Sequence, residues 1–150
     1  MNPSVSDQLA AARRILLDLV RPHVDGEYPA ALLTGVADVL AVLEQGWQRI
    51  PAFLTDDTAR LRDLLARIAD ADVLDLPDGL RTRIAAYVAA PVPTAAALAE
   101  LDAHAESGRA LLAEAAPAVV AVGEHPVHDA LRGYFDVRIA EFPLRPTPRA

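Results

Sequence analysis

The chain has 150 residues and a formal net charge of -7, and 53% of its residues are hydrophobic, but it contains no cysteine. Without cysteine, a disulfide framework and a thiolate zinc site are both excluded. All 14 basic residues are arginine, so there is no lysine for a Schiff base or a phosphate-binding loop. The acidic balance indicates no nucleic-acid partner, because nucleic-acid binding needs a basic face.

Helical periodicity runs through the whole chain and strand alternation is absent, which predicts an all-α fold. We expect an up-and-down helical bundle of five to six helices, formed by residues 1–142 as one domain. Residues 143–150 form a predicted extended Pro-rich tail, because three prolines prevent regular structure. The start of the chain lacks the features of a secretory signal, and the apolar runs 30–43 and 110–122 are too short to span a bilayer. The sequence therefore predicts a cytoplasmic protein with no membrane contact.

The first two predicted helices each carry an apolar stripe. The first covers residues 6–21, is capped by Ser4 or Ser6, and ends at Pro22. The second begins near Pro29, and its phase places Asp38 on the solvent side. The stripes predicted to be buried are Leu9, Ala12, Ile15, Leu16, Leu19 and Val20 on the first helix, and Leu32, Val36, Val39, Leu40 and Leu43 on the second.

The later helices are separated by clear breaks. Thr55 is the predicted cap of the third helix, with Asp56 and Asp57 in its first turn, where the helix dipole favours negative charge. The fourth covers residues 77–89. The fifth runs from a Thr94 cap to about residue 116 or beyond; Pro117 kinks or ends it, and residues 118–122 either continue it for another turn or two or lie outside it. The sixth covers residues 126–141. Their predicted inward residues are Leu61, Leu64, Leu65 and Ile68; then Leu80, Ile84, Tyr87 and Val88; then Leu98, Leu101, Gly108, Leu111 and Leu112; then Val127, His128, Leu131, Tyr134, Phe135, Arg138 and Ile139.

The last helix places basic residues on its apolar side. An inward Arg138 needs a carboxylate partner or a bound anion. Glu100 and His104 of the fifth helix lie where they could meet it. One hypothesis is a small anionic-ligand pocket lined by His104, His128, Tyr134 and Arg138. The alternative is a structural Arg–Glu pair beside a core histidine, or an arginine that extends to solvent.

The segment Glu124-His125-Pro126-Val127-His128-Asp129 collects two histidines and two acids in six residues. Its spacing matches neither the zinc-protease pattern nor the Glu-x-x-His pairs of di-iron bundles. A metal-dependent enzyme built on this segment stays as a further alternative. The sequence itself implies no cofactor, no metal ligand set and no catalytic residue.

Trp47 and Phe53 are large aromatic residues at the end of the second predicted helix and just after it. They either pack in the core or form an exposed patch that binds a partner protein. The Pro-rich tail has the same two interpretations, as a frayed terminus or as an arm that docks on another chain.

The first third of the chain resembles a known family. The residues that carry the resemblance are Leu16-Leu17-x-Leu19-Val20-x-Pro22, then Gly26, then the run Ala37–Glu44. They look like a family of small uncharacterised helical proteins encoded beside aminoglycoside-phosphotransferase-like kinases and acyl-CoA dehydrogenases. The resemblance implies an accessory or interaction protein without catalytic residues.

These observations favour a non-catalytic helical accessory protein that binds a partner protein or a second copy of itself. The first alternative is a small anionic-ligand-binding bundle that uses the inward face of the last helix. The second alternative is the metal-dependent enzyme.

Overall fold

The computed structural model describes residues 3–144, and every regular element within them is helical, which confirms the all-α prediction. Contacts divide these residues into two compact units. The first unit contains residues 3–50 with 143 and 144, and the second contains residues 51–142. The predicted domain boundary at residue 142 stays a prediction.

The first unit contains two α-helices that pack against each other. Helix α1 is Val5–Arg14, and α2 is Glu27–Gly46. The side chain of Ser4 accepts a hydrogen bond from the Asp7 amide (3.1 Å), and Asp7 accepts one from the Ser4 amide (3.0 Å). This reciprocal pair is a capping box, and it confirms Ser4 as a cap of the first helix.

The first helix departs from the prediction at its second half. After Arg14 the chain continues as a π-helix, Ile15–Val20, and a 3-10 turn, Arg21–His23. Pro22 has no N–H to offer the carbonyl of Asp18, and the Arg21 amide instead bonds five residues back to Leu16. The wider turns of the π-helix rotate the residues of the predicted apolar stripe around the helix axis. Ile15, Leu19 and Val20 are therefore exposed rather than buried.

Long-range polar contacts fix the end of α2 and the 3-10 turn Trp47–Arg49 that follows it. The Trp47 indole donates to the Ser6 hydroxyl (3.0 Å), and Arg13 pairs with Glu44 (3.3 Å). Arg49 donates to the carbonyl of the buried Pro143 (3.1 Å). Of the predicted Pro-rich tail, residues 145–150 lie outside the described residues.

The second unit holds the hydrophobic core. It contains nearly all of α3 (Ile50–Asp70) together with α4 (Leu80–Ala89), α5 (Leu98–Ala121) and α6 (Pro126–Glu141). The inward residues predicted for the third and fourth helices are confirmed. The core cluster comprises Leu61, Leu64, Leu65, Ile68, Leu74, Leu80, Ile84, Tyr87, Leu111, Leu112, Ala115, Val119, Val127, Leu131 and Tyr134.

Arginine side chains cap helix ends in the second unit. Arg81 donates to the carbonyls of Ala69, Ala71 and Leu74, where α3 ends. Arg62 donates to the carbonyls of Val88 and Ala90, where α4 ends. These bonds give donors to carbonyls in the last turns of the two helices and in the residues that follow them.

Two details of the fifth and sixth helices were predicted incorrectly. Helix α5 begins at Leu98 rather than at a Thr94 cap, because a turn closed by the Ala97 amide and the Thr94 carbonyl precedes it. It continues through Pro117 to Ala121, which is the longer of the two predicted extents. Leu98 of α5, and Phe135 and Ile139 of α6, were predicted to be inward but are exposed.

Candidate functional site

A buried carboxylate, Asp57, occupies the interior of the second unit. Helix α3 begins at Ile50 with Pro51 in its first turn, so Asp57 lies in mid-helix and is fully buried. The predicted cap at Thr55 is therefore wrong. The Thr55 hydroxyl donates to the Pro51 carbonyl (2.9 Å) within the helix.

Two arginines hold the Asp57 carboxylate. Arg109 on α5 approaches its Oδ2 atom at 3.3 Å, and Arg138 on α6 donates to the same oxygen at 3.2 Å. Arg109 also pairs with Glu106 (2.7 Å) and Asp102 (3.7 Å). The triad joins three helices of the second unit through one buried charge, and removal of a partner from such an arrangement leaves an uncompensated charge.

Further polar atoms surround the triad without well-aligned hydrogen bonds. Asp57 Oδ1, the Thr58 hydroxyl and the Tyr134 hydroxyl are buried, and none of them makes a hydrogen bond of regular geometry within the described residues, although the Tyr134 hydroxyl lies close to the Asp57 carboxylate. Burial and the nearby negative charge of Asp57 raise the pKa of Tyr134, so its hydroxyl stays protonated at neutral pH. Asp57 has no exposed atom to offer a substrate, and its contacts with Arg109 and Arg138 hold α3, α5 and α6 together.

Tyr87 and His104 form a second contact in the same unit. Their rings stack with centroids 4.5 Å apart. Burial and the charge of Arg62 lower the pKa of His104, because both disfavour the protonated ring. Gly108 makes this packing feasible, since a side chain there would collide with the Tyr87 ring.

The structure brings together only some of the predicted ligand residues. Arg138 and Tyr134 both lie beside Asp57, whereas His104 stacks on Tyr87. His128 lies ten residues before Arg138 on α6, a separation of about 15 Å along a helix. The carboxylate expected for Arg138 is Asp57, and the expected candidate Glu100 is exposed.

A surface groove of about 350 Å³ runs between α3 and α6 next to this cluster. Tyr134 and Leu64 contribute to its lining, with Arg60, Asp63 and Arg67 at its rim. Arg60 already pairs with Glu141. The groove is therefore lined by both acidic and basic side chains, which differs from the purely cationic lining that an anion-binding site favours.

The segment predicted for metal binding begins the last helix. His125 accepts a hydrogen bond from the Val127 amide through Nδ1 (3.2 Å) and so caps α6, and Pro126 occupies the first helical turn. Within residues 3–144 no group of three or more histidine and acidic side chains is arranged to hold a metal ion.

Helix α2 carries an exposed apolar surface. Tyr28, Leu32, Val36 and Val39 are 74%, 54%, 49% and 59% exposed, and they share one face of the helix with Gly35. We call these five residues the α2 outer face. The prediction that Leu32, Val36 and Val39 are buried is wrong. The solvent-side position of Asp38 is confirmed by its exposure.

The opposite side of α2 explains this reversal. Its small residues, Ala30, Thr34, Ala37 and Ala41, are shielded from solvent together with Leu33 and Leu40 beside them, and Ala37 is 3% exposed. Small side chains let the backbone of α1 approach closely, so α1 covers the alanine side. The leucine and valine side remains uncovered.

One helical stretch, Glu27–Asp70, contains an 18-residue window with a mean hydropathy of 1.2, of which 11% is buried. By length and composition this window could cross a membrane, a criterion that core helices of soluble proteins also meet. The absence of membrane contact stays a prediction.

The predicted partner-binding aromatics have different environments. Trp47 is half-buried in the first unit, with its indole N–H bonded to Ser6. Phe53 is buried in the second unit, where its ring meets Phe142 edge-on at 5.6 Å. Neither offers a freely exposed ring.

No protein-family model, no curated protein and no solved structure matches this chain.

Proposed function

We propose that this chain is a non-catalytic helical interaction protein that binds another polypeptide through the α2 outer face. The observation that carries the proposal is the exposure of Leu32, Val36 and Val39 on a helix whose other side is also apolar. A helix with apolar residues on two sides is typical of one that is covered on both, and α1 contacts α2 while these large side chains stay exposed. The resemblance of the first third of the chain to small uncharacterised helical proteins would imply an accessory role of this kind. We expect the protein to act in the cytoplasm without a cofactor.

The exposed area is large enough to drive association. The four large side chains of the outer face leave on the order of 400 Å² of apolar surface in water. Its burial would contribute on the order of 10 kcal/mol at about 25 cal/mol per Å². Association itself costs about 4–15 kcal/mol in lost freedom. The two magnitudes are comparable, so burial of this face offsets the cost of association, and the surface that the partner buries in turn would supply the net affinity.

The anionic-ligand alternative has less support. That alternative uses Arg138 to bind the anion. Asp57 supplies the carboxylate that an inward arginine requires, so Arg138 needs no bound anion to balance its charge. The metal-dependent alternative depended on His125, whose Nδ1 atom is used in capping α6. Neither alternative has an observation that favours it over partner binding.

A matched pair of substitutions tests the proposal. Val39 on α2 and Val120 on α5 are both 59% exposed, so a glutamate at either position perturbs a comparable site. We would recover tagged wild-type, Val39→Glu and Val120→Glu proteins from lysate of the native host. We expect wild type and Val120→Glu to recover a partner polypeptide, either a different protein or an untagged second copy of this chain, at near-stoichiometric level. We expect Val39→Glu to lose it. Equal recovery with all three would contradict the proposal.

A further inference from the structure

We propose that the occupant of the α2 outer face is a second copy of this chain, paired antiparallel so that the two α2 helices cross between Gly35 and Val36. This inference rests on the proposed function and names its partner. A twofold pair of this kind is isologous, so one surface must complement itself.

The sequence of α2 is self-complementary about that crossing point. Positions at equal distance from the midpoint between residues 35 and 36 face each other in an antiparallel pair. Leu32 then meets Val39, and Tyr28 meets Leu43. At the centre Val36 meets Gly35, where no side chain or neighbouring helix of the described part of the chain comes within 4 Å of the place a side chain would take. A branched side chain from one copy thus has an open position on the other.

Charge favours this occupant over a lipid surface. The outer face has no charged residue, so copies of a chain with net charge -7 can meet there without opposing like charges at the centre. No lysine or arginine occurs from residue 22 to residue 48. Helices that lie on membranes are rich in basic residues and are attracted to anionic lipid, which is the opposite composition.

The area also fits a dimer. A standard interface buries about 800 Å² on each partner, of which a little over half is apolar. The apolar surface of the outer face, on the order of 400 Å², is close to that apolar share. The proposed interface therefore needs only this face and the side chains at its rim.

The first test measures mass by analytical ultracentrifugation over a wide concentration range. We expect wild type and Val120→Glu to approach twice the 16.0 kDa of one chain as concentration rises. In Val39→Glu the dissociation constant should increase by more than about tenfold, because a charge would enter the centre of the interface. A wild type that stays monomeric overturns the dimer.

The second test uses the absence of cysteine, since any introduced thiol is then unique. With mild oxidant, Val36→Cys should form a disulfide-linked dimer, whereas the matched control Val120→Cys should not. Leu32→Cys should cross-link poorly to itself but efficiently to Val39→Cys in a mixture. Self-linking of Leu32→Cys without linking to Val39→Cys would overturn the antiparallel arrangement.

The outcomes separate this inference from the proposed function. If the chain is monomeric and Val39→Glu releases a different protein, the dimer is wrong and partner binding stands. If it is monomeric and binds vesicles of neutral phosphatidylcholine through this face, both proposals fail. If Val39→Glu changes neither mass nor recovered proteins, both also fail.

Discussion

Substitution of Asp57 by asparagine tests whether the buried triad holds the second unit together. Asparagine has nearly the same shape, so the change removes the charge while leaving the packing in place. Arg109 keeps Glu106 and Asp102 as partners, but Arg138 has no other carboxylate within 4.0 Å among residues 3–144. We therefore expect Asp57→Asn to reduce the free energy of unfolding by about 3–5 kcal/mol, the range for removing one partner of a buried ion pair.

The loss should be visible in both thermal and urea unfolding followed by circular dichroism. For a chain of this size 1 kcal/mol corresponds to about 2–4 °C, so the melting temperature should fall by roughly 6–20 °C. Asp56→Asn is the matched control, because Asp56 is the exposed neighbour on the same helix. Its effect should stay within about 0.5 kcal/mol.

A double-mutant cycle isolates the contribution of the pair. Arg138→Met alone should also destabilise, since the carboxylate loses one of its two cations. In the Asp57→Asn background the same change should be much less harmful, with a coupling of about 0.5–3 kcal/mol. If Asp57→Asn unfolds at the same temperature as Asp56→Asn, the triad is not what joins these helices.

Two further predictions concern the second unit. Gly108→Ala should destabilise the second unit by about 1–3 kcal/mol, because the added methyl group would collide with Tyr87 and Leu61. Gly133→Ala has open space among the described residues and should stabilise α6 by about 0.5–1 kcal/mol in the same urea titration. Equal effects of the two substitutions would contradict the close packing at Gly108. Because burial lowers the pKa of His104 from 6.5, the unfolded chain binds the proton first as pH falls, so this residue leaves stability unchanged above that pH and lowers it below. His104→Phe keeps a ring against Tyr87 and should flatten the fall in urea midpoint between about pH 7 and pH 5; an unchanged slope would show that His104 is not its source.

The elements predicted well are those with charge on one side. Helix α3 has Asp63 and Arg67 on the side away from Leu61 and Leu65, and this contrast fixes its phase from sequence. The all-α class followed from a similarly strong local signal, the helical periodicity of the apolar residues.

The central site residue was missed because of a helix boundary. The run Thr55-Asp56-Asp57 is typical of a helix start, so Asp57 was assigned to the first turn, although α3 begins at Ile50. The signal was present in the spacing. Asp57 precedes Leu61 by four residues and Leu64 by seven, which places it on the buried stripe. Its arginine partners come from distant helices, and no local pattern identifies them.

The error on α2 has a different physical cause, and it bears directly on the dimer. An amphipathic pattern fixes the buried face only when the opposite face is polar, and α2 has leucine and valine on one side and alanine on the other. Larger side chains have more to gain from burial, which is why the sequence favours Leu32, Val36 and Val39 as the inward face. Close approach of α1 selects the alanine side instead. Both expectations are satisfied together if α1 covers the small residues within the chain and a second copy covers the large ones. A stable, strictly monomeric protein with α2 exposed in this way would show that the larger face needs no cover, and would refute that synthesis.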